Sequence, residues 1–359
     1  MPFSAPVQIP SARVDLTQFS LKNFARFTNS AAFKFLRSNG RRLFGILDTD
    51  TNVYYSTDNG ATWNTNNLGA GVFPSGVDFH WGVATQGCNA LFAAAQSVGN
   101  AGVYRYRQSD GTFAQTLNTV GVDIACIATA DQINYGLISL NPYTVVASTV
   151  ICCGENRACR RSTDGGETWV NVGPMAGAGA DYVDSVASLG NGNWVACASA
   201  SGRLFTSVDD GLTWATSLPA VGPTKVKYGG ASLYLGIKVN APDSTLYSSA
   251  NGTDWTPVLA LAGVQLQDVA IDKKGITCAV GNNAKLYISD DLISWNTVEM
   301  SAAVIPTAAL PSSLTFKSVW YENLSDLTLA PNRWLFSVAN ATDGTVPLLA
   351  ALGMTDEAA

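Results

Sequence analysis

The chain has 359 residues, of which 47% are apolar and only 13% are Asp, Glu, Lys or Arg, and its formal net charge is −6. The apolar share is enough for a large core, while a charged share near half the usual quarter leaves Ser, Thr, Asn, Gln and Gly to cover the surface. A negative balance excludes a nucleic-acid partner, since phosphate binding needs clustered cations, and Arg41-Arg42 and Arg160-Arg161 are isolated pairs.

The first residues, MPFSAPVQIPSARVDL, contain no positive leader and no apolar run of signal-peptide length. No later stretch reaches the roughly 20 apolar residues of a spanning helix, so a soluble chain without membrane insertion is expected. Residues 12–19 read as an isolated strand within an N-terminal closing segment, 1–22. Short strands then follow in pairs. First strands are predicted at 33–37, 78–83, 124–129, 185–189, 225–228, 268–272 and 318–322. Their partners are predicted at 42–47, 90–95, 144–151, 193–200, 233–239, 275–281 and 333–339, each run apolar or alternating and bounded by turn residues. The last unit continues into 345–352 and then an acidic tail, 353–359. No helix of consequence is expected.

Between the pairs a motif recurs. Ser56-Thr-Asp58-Asn-Gly60-Ala-Thr62-Trp63, Ser162-Thr-Asp164-Gly-Gly166-Glu-Thr168-Trp169 and Ser207-Val-Asp209-Asp-Gly211-Leu-Thr213-Trp214 fit S-x-D-x-G-x-T-W at every fixed position. Weaker copies align as Ser248-Ser-Ala250-Asn-Gly252-Thr-Asp254-Trp255 and Ile288-Ser-Asp290-Asp-Leu292-Ile-Ser294-Trp295, and a worn one ends at Thr112-Phe113. The residue set suits a tight hairpin turn. The Asp accepts backbone N–H groups of its own turn, the Gly takes a positive φ, and the Trp covers the turn. A spacing of about 40–56 residues is that of a four-stranded propeller blade.

These copies resemble the Asp-box, or BNR, repeat of sialidase-like β-propellers. The expected fold is therefore all-β, a single propeller domain over 1–359. Seven blades follow from the strand pairs and six, the alternative, from the boxes. The N-terminal strand would close the ring and protect its edge. The resemblance implies that the box residues lie on outer strands and are structural.

The resemblance also implies what an enzyme of this family would need: three axial arginines for a carboxylate, a Tyr nucleophile with its Glu, an Asp acid/base, and an Arg-Ile-Pro motif. Here Gln8-Ile9-Pro10 lacks the arginine, and Arg37 is the one arginine on the first strands. No catalytic residue, cofactor or metal is assigned, and the chain is expected not to be an enzyme. A paired-carboxylate glycosidase, which needs acids about 5–9 Å apart, would draw on Asp78, Asp131, Asp184, Asp268, Asp272 or Glu322. Seven cysteines include one cluster, Cys152, Cys153 and Cys159, which suits buried thiols, a cross-strand disulfide, or an incomplete thiolate site. His80 is the sole histidine.

Candidate ligand-binding aromatics are Trp81, Tyr228, Trp320 and Tyr321, with packing between blades as the alternative. A neutral polar composition without an export signal is similar to that of Asp-box propellers carried in bacteriophage particles. This implies a structural or receptor-binding virion protein of tail, fibre or capsid decoration, whose partners are other virion proteins or a cell-surface glycan or protein. A cellular carbohydrate- or protein-binding propeller is the alternative. The blades also resemble those of photosystem assembly-factor propellers, although the chain lacks an arginine patch and a targeting leader.

Overall fold

A computed structural model describes residues 20–21, 24–27, 33–38, 42–47, 52–58, 62–65, 77–85, 89–96, 101–130, 149–177, 179–190, 192–219, 221–228, 233–272, 275–283, 285–299, 314–322, 333–340 and 346–353. The chain opens with two short strands, β1 (Ser20–Leu21) and β2 (Phe24–Phe27). Six antiparallel sheets of four strands follow. The first holds β3 (Phe33–Ser38), β4 (Leu43–Leu47), β5 (Val53–Ser56) and β6 (Asn64–Thr65). The second holds β7 (Val77–Thr85), β8 (Asn89–Gln96), β9 (Gly102–Arg107) and β10 (Thr112–Asn118). In the third are β11 (Ile124–Thr129), β12 (Val150–Gly154), β13 (Cys159–Ser162) and β14 (Val170–Asn171). The fourth has β15 (Ser185–Ser188), β16 (Trp194–Ala198), β17 (Arg203–Ser207) and β18 (Ala215–Ser217). The fifth has β19 (Lys225–Tyr228), β20 (Tyr234–Asn240), β21 (Asp243–Ser249) and β22 (Thr256–Leu261). The sixth has β23 (Leu266–Ile271), β24 (Thr277–Gly281), β25 (Lys285–Ser289) and β26 (Asn296–Glu299). Then come β27 (Leu314–Glu322), β28 (Arg333–Asn340) and β29 (Val346–Gly353). One 3-10 turn, Glu155–Arg157, is the helical element among the described residues.

This is an all-β propeller. The first strand of each sheet touches that of the next, from β3 through β7, β11, β15, β19, β23 and β27, and β27 touches β3 again. Burial follows from that packing. The inner strands β11, β12, β15 and β16 are buried along their whole length because neighbouring sheets cover both faces, so they read as continuous apolar runs. The outermost strands β14 and β18 are largely exposed. The core accordingly lies between blades. Phe44, Ile46 and Val53 of the first sheet pack with Phe92, Tyr104 and Tyr106 of the second, with Phe44 and Phe92 edge-on at 5.6 Å.

Six blades are regular. The expectation of seven does not hold for four-stranded units, because the last strand pair belongs to a sheet of five strands completed by β29 and by β1 and β2 from the start of the chain. Its order is β1-β29-β28-β27, and β2 also pairs with β29. The expected closing strand, 12–19, lies outside the described residues. The pairing is instead made by Ser20 and Leu21 with Gly353 and Leu352, and by Phe24–Phe27 with Leu349, Leu348, Pro347 and Val346. Of the second strand expected at 144–151, residues 144–148 lie outside the described residues, and β12 begins at Val150.

The recurring motifs are hairpin turns between third and fourth strands. Asp58, Asp164 and Asp209 each accept a hydrogen bond from the Ser two residues earlier, at 2.7–2.8 Å. Each also accepts from the Thr four residues on, through its backbone N–H at 2.8–2.9 Å and its hydroxyl at 2.5 Å. Gly166 and Gly211, with φ of 88° and 80°, donate their N–H groups to the Ser hydroxyls. Gly60 lies outside the described residues. Trp63 packs on Phe33 at 4.9 Å, Trp169 donates its indole N–H to Thr116 of the preceding blade, and Trp214 donates to the Gly211 carbonyl. The fourth and fifth copies depart from their sequence alignment. Asn251 and Asp291, not Ala250 and Asp290, accept the turn's N–H groups, from Thr253 and Asp254 and from Ile293 and Ser294. These turns are one residue shorter, so the Ser partners are Ser249 and Ser289.

Candidate functional site

Near the ring axis the inner strands bring charge together. Lys225 and Lys227 lie two apart on β19, which sends both side chains to one face. The Lys227 ammonium is 2.9 Å from Asp268 Oδ1 on β23, and that of Lys225 is 3.9 Å away. From the other side, the Arg37 guanidinium on β3 lies 3.9 Å from Asp268 Oδ2 and sits over the Trp320 ring of β27 at 4.5 Å. The backbone N–H of Val319, also on β27, donates to the same oxygen at 3.1 Å. Lys225 donates to the Gln267 carbonyl at 2.9 Å, and Arg37 to that of Leu36 at 2.8 Å. One carboxylate, 1% exposed, thus gathers three cations from two strands on either side of it.

Burial alone pushes the Asp268 carboxyl up, but Lys227, Lys225 and Arg37 outweigh it and hold the group at about 2. Burial, together with the neighbouring cations Lys225 and Arg37, pulls the Lys227 ammonium well below the ordinary lysine value, against the pull of Asp268. Lys225 keeps about a third of its side chain exposed. Chemically this is a cationic site organised around a fixed anion. At neutral pH Asp268 has no proton to donate.

The structure separates the sequence candidates. Trp320 joins the cationic cluster. Tyr228 packs against the core formed by Val226, Tyr234 and Leu204. Trp81 and Tyr321 are placed on β7 and β27 opposite Ala93 and Trp334, and their side chains, like those of Asp78, His80 and Glu322, lie outside the described residues, as does Asp131. Asp272 accepts the Ile276 N–H at 2.8 Å and so closes its own turn. Asp184, which burial pushes up, accepts hydrogen bonds from the Ser199 hydroxyl and backbone. Asp58, Asp164 and Asp209 serve the outer turns. The sequence reading named Arg37 and Asp268 separately and missed Lys225 and Lys227. The available signal was Lys-Val-Lys on a predicted first strand in a chain so poor in charge.

Six described cysteines are free and buried, and no described group of three or more His, Cys, Asp or Glu residues is placed to hold a metal ion. Among the described residues no helix is long and apolar enough to cross a membrane.

No protein-family model matches the sequence, and neither does any curated protein. Solved structures match in fold. The chain is similar to YCF48 bound to D1 peptide, with a TM-score of 0.61 and 14% identity over 95% of this chain and 97% of that one. YCF48 from Cyanidioschyzon merolae matches with a TM-score of 0.60 and 14% identity, over 91% of this chain and 98% of that one. The extracellular domain of the hybrid two-component system BT4673 from B. thetaiotaomicron matches with a TM-score of 0.58 and 9% identity, over 92% of this chain and 40% of that one. At these identities the likeness is one of fold.

Proposed function

We propose that this propeller is a non-catalytic protein-binding module that holds an acidic segment of its partner at the axial cluster of Arg37, Lys225 and Lys227. The observation that carries the reading is the convergence of three cations on Asp268 in a chain with net charge −6. A similarly folded propeller, YCF48, has been seen with a peptide bound, which supports a peptide as the class of ligand. We count the five-stranded sheet as a seventh blade, so that the platform is a closed ring that presents the cluster without deforming. Sugar stacking is less favoured, because Arg37 already covers one face of Trp320. A place in a virus particle is a second proposal, supported by the neutral polar composition; purified particles lacking the chain would remove it.

The test is fluorescence anisotropy with labelled hexaglutamate and hexalysine peptides. Hexaglutamate should bind, more weakly as salt rises. Lys225→Glu, at a partly exposed position, should weaken it by about tenfold or more while leaving circular dichroism unchanged, as expected for reversing one charge of a clustered site. Equal binding of both peptides, or binding indifferent to Lys225→Glu, would overturn the reading.

A further inference from the structure

Three cysteines stand in line across adjacent strands of the third blade: Cys126 on β11 is the register partner of Cys153 on β12, which in turn faces Cys159 on β13. All three belong to one buried cluster, so their side chains share a face. Cys152 points the other way, into the cluster with Leu91 and Ile127. The sulfurs of Cys153 and Cys159 are 3.8 Å apart. Next to them the Gly154 N–H donates to the Ala158 carbonyl, which makes Cys153 and Cys159 a non-hydrogen-bonded antiparallel pair. Such pairs hold their Cα atoms about 4.5 Å apart, inside the range a disulfide spans without backbone movement. The Cys126 thiol is directed at two carbonyls instead, those of Cys153 and Val183, at 3.7 and 3.5 Å.

The pair sits one residue inside a hairpin tip. Asn156 and Arg157 at the tip have φ of 55° and 59°, a left-handed conformation that costs non-glycine residues energy. Asn156 is exposed. The tip also ties blades together: Glu155 N–H donates to the Asp123 carbonyl, Arg157 N–H to that of Asp181, and Val183 N–H to that of Gly154. Cys153 and Cys159 are both fully buried, so a reagent reaches them only through local opening of the fold.

We propose that Cys153 and Cys159 form a dithiol site that low-molecular-weight disulfides oxidise to an intrachain disulfide. One thiol loses its proton, and its thiolate attacks the reagent disulfide, forming a mixed disulfide and releasing one reagent thiolate. The second cysteine, deprotonated in turn, attacks the protein sulfur of that mixed disulfide and expels the second reagent thiolate. Two electrons pass to the reagent, and two protons leave the cysteines for the two reagent thiols. The product closes the hairpin whose tip bridges the third and fourth blades. Burial pushes the Cys153 thiol well up, so oxidation is slow at neutral pH and accelerates toward alkaline pH.

The experiment treats the folded full-length chain with oxidised glutathione, blocks remaining thiols with iodoacetamide, and digests with trypsin. Cleavage after Arg157 and Arg160 leaves Cys159 in a tripeptide. That tripeptide should be found disulfide-linked in the wild type, in Cys126→Ser and in Cys152→Ser, and should be unlinked in Cys153→Ser. The rate should rise about tenfold per pH unit as thiolate accumulates. A folded wild type that forms no linked tripeptide, while the urea-unfolded chain does, would overturn the proposal. So would linkage that survives Cys153→Ser, and since the wild type is itself informative, a variant that fails to fold leaves the proposal testable.

Discussion

Gly211 has two separate reasons to be glycine. Its φ is 80°, and a Cβ there would lie 2.5 Å from the Ile151 Cδ1 of the preceding blade. Gly166 repeats the arrangement against Leu91. Backbone strain and steric overlap act together, so Gly211→Ala should destabilise the fold by about 1–3 kcal/mol. Urea unfolding followed by fluorescence reads this, and a midpoint unchanged from wild type would contradict it. The turn carboxylates make a prediction of another kind. Hydrogen bonds from Thr62 and from Thr213 hold Asp58 and Asp209 at about 2, below the ordinary value of 3.8. A group depressed in this way contributes stability above its unfolded value and loses it as pH falls through the folded one. The turns of Asp58 and Asp209 should therefore weaken between about pH 4 and pH 2. Asp209→Asn should lower the melting temperature at pH 7 and narrow the difference from wild type toward pH 2.

At the scale of elements, the turns that carry Asp164 and Asp209 are also clasps on the blade before them. Asp210, beside the turn carboxylate Asp209, pairs with Arg161 of β13 at 2.6 Å and accepts from Thr149 at 2.6 Å and from the Trp194 indole at 3.2 Å. In the preceding box turn Glu167 acts likewise, meeting Arg105 and Arg107 of β9. Removing the Asp210 carboxylate leaves the Arg161 Nη2 and the Trp194 indole N–H without that acceptor, while Arg161 Nε keeps its bond to the backbone carbonyl of residue 210. Asp210→Ala should cost about 1–3 kcal/mol, more than Asp110→Ala in an exposed turn, and paired thermal melts compare the two. This level also marks how far sequence reading reached. The first strands predicted at 124–129 and 185–189 were legible because burial on both faces demands apolar runs and short turns bound them. The register of the fourth and fifth turns was not, because shortening by one residue moves the acceptor to Asn251 and Asp291 while leaving the following Trp in place. The axial cluster was illegible for a different reason. Arg37 and Asp268 are brought together by ring closure, and local patterning holds no information about which distant strands meet.

For the whole molecule, closure is the decisive event. Strands β1 and β2 pair with β29 from the opposite end of the chain, and Ser337 of β28 donates to the Phe33 carbonyl of the first blade at 2.7 Å. The same junction supports the cationic cluster, since on β27 the Trp320 ring lies under Arg37 and the Val319 N–H donates to Asp268. Losing β1 and β2 would leave β29 as an unpaired edge, which invites aggregation, and would loosen the sheet that sets the cluster's spacing. Deleting residues 1–27 should therefore lower the melting temperature by roughly 5 °C or more and also weaken hexaglutamate binding. Deleting residues 1–19 leaves both pairing strands in the chain and should do less. Two truncations that melt alike would mean that β29 draws little from its N-terminal partners, and that the ring is held by the contacts of β27 and β28 with β3.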